Sequence, residues 1–404
     1  MNLSKKIAVI GGGAAGFMAA ITAKETNTDT NITIFEKSDK ILSKVKISGG
    51  GRCNVTNATF SISKLIQSYP RGGKKLKNSF NIFNTKDTVN WFENRGVKLK
   101  TEPDKRMFPL SNSSDSIVDL LTNSAKKLNI RISKKSKVSS ITIAKNGLSL
   151  SINNEILLFD KVIIASGGSP KTRGLDWLTT LGYSINDPVP SLFTFNIPKN
   201  PITRLMGLSV LNANASIKGS PLRQSGPILI THWGLSGPAI LKLSSWGANE
   251  LAKRKYSFTV QINWLAINEE ELRNQFLNLI TNKKNIYNHR PFDIPKRLWI
   301  HILNKLEISN KQIWCELSKK NKNKLINTLV NDEFNVNGKT TFKEEFVSCG
   351  GISLSEINML TMESERNKGI YFAGEILNID GVTGGFNFQA AWTTGYIAGK
   401  NSAL

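Results

Sequence analysis

Three glycine-rich clusters, each close to an acid or a base, are where this sequence could do chemistry. Gly11, Gly13 and Gly16 form a G-x-G-x-x-G pattern, with Ala14 and Ala15 inside it, directly after the apolar run Ile7-Ala8-Val9-Ile10. In such a pattern the first glycine allows a tight strand-to-helix turn, the second lets the backbone approach a pyrophosphate, and the third lets the helix pack closely on the strand. The helix N-terminus that follows favours an anion. A second β-rich run, Ile32-Thr33-Ile34-Phe35, ends at Glu36-Lys37. That is where a dinucleotide-binding βαβ unit places the acid that accepts a hydrogen bond from a ribose 2′-OH. An acid there argues against a 2′-phosphate and leaves FAD and NAD both open. The competing explanation is a plain βαβ unit with a surface glutamate.

The second cluster is Ser48-Gly49-Gly50-Gly51-Arg52-Cys53-Asn54. Its three glycines leave backbone amides uncovered, and Arg52 could add charge-assisted hydrogen bonds to a phosphate or a substrate anion. Cys53 sits beside Arg52, which is expected to lower the thiol pKa. Cys53 has no partner cysteine for disulfide chemistry, which leaves a sulfenate or charge-transfer role, or that of a small packing residue. The third cluster closes the chain: an apolar strand to Ala373, the turn Gly374-Glu375, then Gly384-Gly385-Phe386-Asn387 opening a helix that runs to Gly399. The dipole of that helix favours negative charge, such as a reduced isoalloxazine carries near N1. Elsewhere, His232 lies in the Gly/Pro-rich stretch Thr231 to Pro238. It is a candidate acid or base, or else a hydrogen-bonded structural histidine.

The elements that must position these groups follow from periodicity. Lys161 to Ile164 is a continuous apolar run of the kind buried in a parallel sheet, and Gly167-Gly168 beyond it keeps bulk out of a ligand crevice. Residues 137–166 alternate as strands with turns at Asn146-Gly147 and Asn153-Asn154. Thr85 and Ser114 are expected to cap two amphipathic helices. Between 190 and 340 the texture changes to short β-like runs, 191–197 and 256–262, followed by Lys- and Asn-rich helices at 269–280, 295–303 and 317–330. The expected organisation is an α/β domain from residues 1–189 and 341–404, interrupted by an inserted domain over 190–340.

Composition narrows the classes. The chain has 404 residues, enough for two or three domains, with 40% hydrophobic and 21% charged residues, as in soluble globular proteins. Apolar stretches are broken before the roughly 18 residues a membrane span needs, and a cytoplasmic location is expected. Cys53, Cys315 and Cys349 are too far apart for a redox or zinc motif, and His232, His289 and His301 do not cluster, so no metal is expected. The net charge of +24 would suit a nucleic-acid partner or anionic ligands. Lysines spread among abundant Asn and Ile also fit a solvated surface shaped by an AT-rich gene.

These segments resemble the HI0933-like flavoprotein family, also described as NAD(P)/FAD-dependent oxidoreductases or aminoacetone oxidase family FAD-binding enzymes. The resemblance covers essentially the whole chain and is carried by Val9 to Gly16, Ser48 to Asn57, Arg106 to Asn112, Pro190 to Phe195, Thr231 to Pro238, Gly350-Gly351-Ile352, Thr361 to Ser364 and Tyr371 to Gly399. It implies a glutathione-reductase-like Rossmann-type FAD-binding domain built from both chain ends, with an inserted β-barrel and a helical subdomain. It further implies that Gly11 to Gly16 and Glu36 hold the ADP half of FAD. Gly49 to Asn54 and the Gly374 to Asn387 segment would hold the pyrophosphate, ribityl chain and ring. The sequence departs from the family at Asn378, where Asp is frequent, and at Ser166-Gly167-Gly168, where Thr-Gly-Gly is usual. The implied activity is an FAD-dependent oxidoreductase that passes hydride through flavin N5 to or from a small molecule. NAD(P)H would be a transient donor, since no second G-x-G-x-x-G seats it. The alternative is a basic FAD protein that binds or modifies nucleic acid.

Overall fold

The computed structural model describes residues 4–169, 171–279, 281–340 and 347–404. The chain divides into two compact units, Met1–Ser191 with Phe342–Leu404, and Leu192–Thr341. The expected resumption of the first domain at 341 falls outside the described residues.

The first unit is built on a parallel five-stranded sheet in the spatial order Ile370–Phe372, Lys161–Ile164, Lys6–Ile10, Asn31–Phe35, Arg131–Ser133. Ile10 pairs with Phe35 on one side and Ile164 on the other, and Ile164 pairs with Phe372. The carboxyl ends of four strands are therefore level, and the loops at Gly11, Glu36, Ala165 and Ala373 leave the sheet along one edge, where ligands of open α/β sheets bind. An antiparallel meander, Val138–Ala144, Gly147–Ile152 and Glu155–Phe159, fills the crossover before the strand Lys161–Ile164. Asn153 and Asn154 both take positive φ, 48° and 72°, as a tight hairpin turn requires. At the other expected turn, Gly147 opens the strand, with Lys145-Asn146 as the linker.

The helix Ala14–Thr26 is apolar nearly all round and buried, with a neighbour on each face. One neighbour is the last helix, Phe386–Ala403. The two backbones touch: a Cβ on Gly399 would overlap the Ala19 carbonyl oxygen, and one on Gly395 would come within 2.6 Å of the Ala15 carbonyl oxygen. Two expected caps lie elsewhere. Asn84, not Thr85, caps Thr85–Glu93 in a reciprocal box with Asp87. Ser114 donates its hydroxyl to Lys46 O at 2.7 Å instead of capping its helix, so a longer-range tie replaces the local one.

The second unit holds an antiparallel sheet whose spatial order ends on Asp332–Asn337 at one edge and Lys339–Thr340 at the other. Those two segments are consecutive in the chain across Gly338, at φ 95°. One bent strand thus pairs with both edges and closes the sheet into a barrel, which removes the exposed edges. Its wall alternates as expected: Phe258, Val260 and Ile262 point inward from Ser257–Asn263. The helices Glu269–Leu277, Lys296–Lys305 and Lys319–Val330 share an aromatic core in which Trp299 and Trp314 stack at 5.9 Å.

The helix crossing sets a sharp expectation. Gly399→Leu should lower the thermal midpoint of the first unit by forcing the helices apart, at a cost of about 1–3 kcal/mol or more, read by calorimetry. Unchanged melting would show that the crossing has slack.

Candidate functional site

Each glycine of the first cluster has a distinct surrounding. Gly11 sits at φ 114°, and a Cβ there would overlap the Ala165 carbonyl oxygen on the neighbouring strand's exit; a Cβ on Gly16 would overlap the Gly11 carbonyl oxygen. Both are required by close backbone packing. Gly13, by contrast, would present its Cβ to open space, with nothing within 4 Å. It occupies the N-cap of Ala14–Thr26, which no side chain caps and whose first turn contains no acid. The first-turn N–H groups of a helix lack intrahelical acceptors, so this end is open to an anion.

Glu36 braces that end. One carboxylate oxygen accepts from Gly12 N at 2.9 Å and the other from Ser38 N at 2.9 Å. Each oxygen keeps a lone pair, so the side chain both fixes the turn and retains acceptor capacity for a hydroxyl. Lys37 is exposed.

The second cluster is a left-handed turn. Gly49, Gly50 and Gly51 take φ of 60°, 70° and 81°, a run that side chains would strain. Gly50 and Gly51 are open on their Cβ sides, whereas a Cβ on Gly49 would strike the Phe108 ring at 2.8 Å. Arg52 does not project freely toward an anion. Its guanidinium lies 4.0 Å over the Phe108 ring and donates to Glu102 Oε1 at 2.7 Å, so it acts as a strut that props the turn. The expectation that Arg52 activates Cys53 is overturned. The thiol is fully buried, and burial pushes its pKa up to about 12, against a smaller opposing effect of its hydrogen bond with Ser48. At neutral pH it is a protonated packing group.

The third cluster is locked to the second. Tyr69 donates to Phe386 O at 2.7 Å, Asn57 Nδ2 to Gly384 O at 2.9 Å and Trp392 Nε1 to Val55 O at 2.9 Å. The Asn54 amide donates to Thr56 O at 3.0 Å and accepts from Gly385 N at 2.9 Å. Asn387 folds back on its own loop, accepting from Gly381 N at 2.8 Å and donating to Gly381 O at 3.0 Å. No side chain caps Phe386–Ala403, whose N-cap is Gly385 at φ 93°. A second uncapped N-terminus is thus held next to the second glycine cluster. Gly374 donates its N–H to Thr394 Oγ1 at 2.9 Å, and Gly167 is open on its Cβ side. Glu375 accepts from Ser348 N at 2.8 Å and pairs with Lys44 at 2.6 Å.

One part of the site had no local sequence signal. Asp380, fully buried, accepts from Arg71 Nε at 2.5 Å in a two-pronged pair and from Ser191 Oγ at 2.9 Å. Burial raises its pKa, while Arg71 and then Ser191 pull it down. Arg71 and Asp380 are 309 residues apart, so only the fold could reveal the pair. His232, in the second unit, is exposed on the turn Thr231 to Gly234, its ring centroid 3.4 Å from that of Trp233.

The donor set suits an extended dinucleotide: two uncapped helix N-termini, an acid at the end of the second strand, and glycines whose missing side chains leave room at 13, 50, 51 and 167. The model of the HI0933-like protein Rossmann domain matches residues 5–401. Among curated proteins, the chain is 26% identical to the 3-dehydro-bile acid delta(4,6)-reductase of Clostridium scindens over 98% of this chain and 99% of that protein. It is 28% identical to the ribosomal RNA dihydrouridine synthase of Escherichia coli over 97% and 96% of the respective chains. Among solved structures, 3-ketosteroid delta1-dehydrogenase from Sterolibacterium denitrificans shares the fold over all of both chains, with a TM-score of 0.54 at 11% identity.

Two outcomes check this geometry. Between about pH 6 and 10 the flavin-loaded protein should show no long-wavelength thiolate charge-transfer absorbance. Such a band in wild type, absent from Cys53→Ser, would contradict the buried thiol. Arg71→Met should destabilise the first unit by about 3–5 kcal/mol by stranding a buried carboxylate. Adding Asp380→Asn should restore part of that loss in chemical denaturation.

Proposed function

The chain belongs to the HI0933-like Rossmann-domain family, and from that premise we propose that this FAD-dependent oxidoreductase reduces a carbon–carbon double bond conjugated to a carbonyl, with NAD(P)H as donor. The observation that carries the reaction type is what the names of two full-length relatives have in common. A delta(4,6) unsaturation in a 3-dehydro steroid acid is conjugated to the ketone, and dihydrouridine is uridine with its ring alkene reduced. FAD, when bound, supplies the hydride at N5.

The chain's own residues have the following roles in this reading. The open helix end at Gly13 to Gly16 takes the pyrophosphate, with Glu36 oriented toward the adenosine ribose. Gly49 to Asn54 line the cofactor's middle, Arg52 bracing the turn from behind. The Phe386 N-terminus, held by Tyr69 and Asn57, places positive dipole where the reduced ring carries charge. Reduction of such an alkene also needs a proton at the carbon next to the carbonyl, and His232 is the candidate donor. Cys53, protonated and buried, contributes shape only.

Of the two substrate classes, uridine in RNA is favoured by charge. Fifty-four Lys and Arg against 30 Asp and Glu suit a polyanion far better than a steroid acid bearing one carboxylate. The test is an anaerobic titration of the flavin-loaded protein with NADH and NADPH, followed by ribosomal RNA from a strain lacking dihydrouridine. Bleaching by a nicotinamide, reoxidation by RNA and appearance of dihydrouridine by mass spectrometry are expected. Reoxidation by a steroid dienone but not by RNA would remove the RNA assignment. Failure of both nicotinamides to bleach the flavin would remove the donor.

A further inference from the structure

We infer that one end of the helical part of the second unit, built from Lys283, Lys284, Lys311, Lys319 and Lys320, is the surface that docks the phosphate backbone of structured RNA; this rests on the RNA reading above. The juxtaposition comes from the fold. Asn285 bridges Ile313 in antiparallel fashion, Ile286 N donates to Gln312 O at 2.9 Å, Trp314 N to Lys284 O at 3.2 Å and Cys315 N to Asn282 O at 2.9 Å. The Lys283-Lys284 segment therefore lies against 311–315, immediately before the helix Lys319–Val330 begins. All five lysines are exposed, and no carboxylate pairs with them among the described residues. Glu316 is the acid on the intervening turn.

The placement of charge is what separates this end from ordinary solvated surface. The helix Lys319–Val330 opens with Lys319 and Lys320 and has no acid in its first turn, so like charge sits on the positive end of its dipole. The neighbouring helix Glu269–Leu277 does the opposite, opening with Glu269, Glu270 and Glu271. The two helices meet where Arg273 donates to Asn323 at 3.0 Å and to Glu269 at 2.9 Å, so the first of those glutamates is already neutralised by an arginine. An isolated protein gains nothing from concentrating positive charge where the dipole already repels it; a bound polyanion reverses the sign of that interaction. Asn282, Asn310 and Asn321 neighbour these lysines in the chain, amide side chains of a type suited to phosphate and sugar oxygens. A membrane surface would instead call for an apolar face to insert.

The experiment is fluorescence anisotropy of the full-length, FAD-loaded protein with a labelled RNA stem-loop across a salt series. The test variant carries Lys283→Glu, Lys284→Glu, Lys319→Glu and Lys320→Glu. The control carries the same charge change in the first unit: Lys74→Glu, Lys75→Glu, Lys134→Glu and Lys137→Glu, all exposed positions. The test variant should bind about tenfold or more weaker, with a salt slope shallower by about 3 to 4, and the control should stay within about twofold. Glutamates in the first turn suit the helix dipole, and matched melting curves will show that both variants are folded. Equal weakening in both would mean that net charge alone binds RNA, overturning the docking surface while leaving RNA as substrate. Unchanged binding in the test variant overturns it likewise. Loss of binding to phosphatidylglycerol vesicles but not to RNA would reassign the surface to membranes and overturn the proposal. Absence of RNA-dependent flavin reoxidation in wild type would instead be a failure of the RNA reading itself.

Discussion

The contact on which the first unit depends is the crossing of Ala14–Thr26 and Phe386–Ala403, backbone against backbone at Ala15 and Ala19 under Gly395 and Gly399. Each helix begins at a glycine with no side-chain cap. Because the crossing admits no side chain between them, the separation and angle of the two axes are fixed tightly, and so are the positions of both N-termini. An FAD held as proposed, with its phosphates at one positive end and its ring at the other, would require just that fixed spacing. In that reading, helix packing and cofactor geometry are one constraint.

Around the crossing the structure uses buried polar ties rather than bulk apolar packing to set the loops. Gln389, fully buried, sits between Thr56 and Thr393, and Trp392, Tyr69 and Asn57 each place a hydrogen bond on a backbone carbonyl across the second and third clusters. Such bonds are costly to leave unmade in a dry interior, so each one specifies a register as well as holding it. The Arg71–Asp380 pair extends the same logic to the strand that leads into the second unit, through Ser191.

The parallel sheet, the glycine turn, the acid after the second strand and the terminal helix were legible because each rests on local periodicity or on a residue type with a single structural use. The barrel was implied by the family resemblance, but local pattern showed it only as β-like texture. Its closure depends on Gly338 bending one strand between two edges, a long-range event with no local mark. The Arg52 anchor and the acidified Cys53 thiol were misread for the same reason, while the packing alternative for Cys53 agrees with its burial. Adjacency in sequence suggested that the guanidinium would acidify the thiol, whereas Glu102 and Phe108 draw the arginine one way and burial takes the cysteine the other. Ser114 likewise had the right type for a cap, and Lys46 O, 68 residues away, took its hydroxyl. Local rules fail here where a distant partner makes the better bond.

The helix crossing also orders events in time. Synthesis delivers Ala14–Thr26 long before its partner Phe386–Ala403, with the whole second unit between them, so the groove in which the first helix lies stays open until that partner emerges. The second unit, a continuous stretch from Leu192 to Thr341, is under no such delay and can fold while the rest is being made. The first unit is completed only after the second has been made, and its glycine-led helix ends come together once Phe386–Ala403 has emerged.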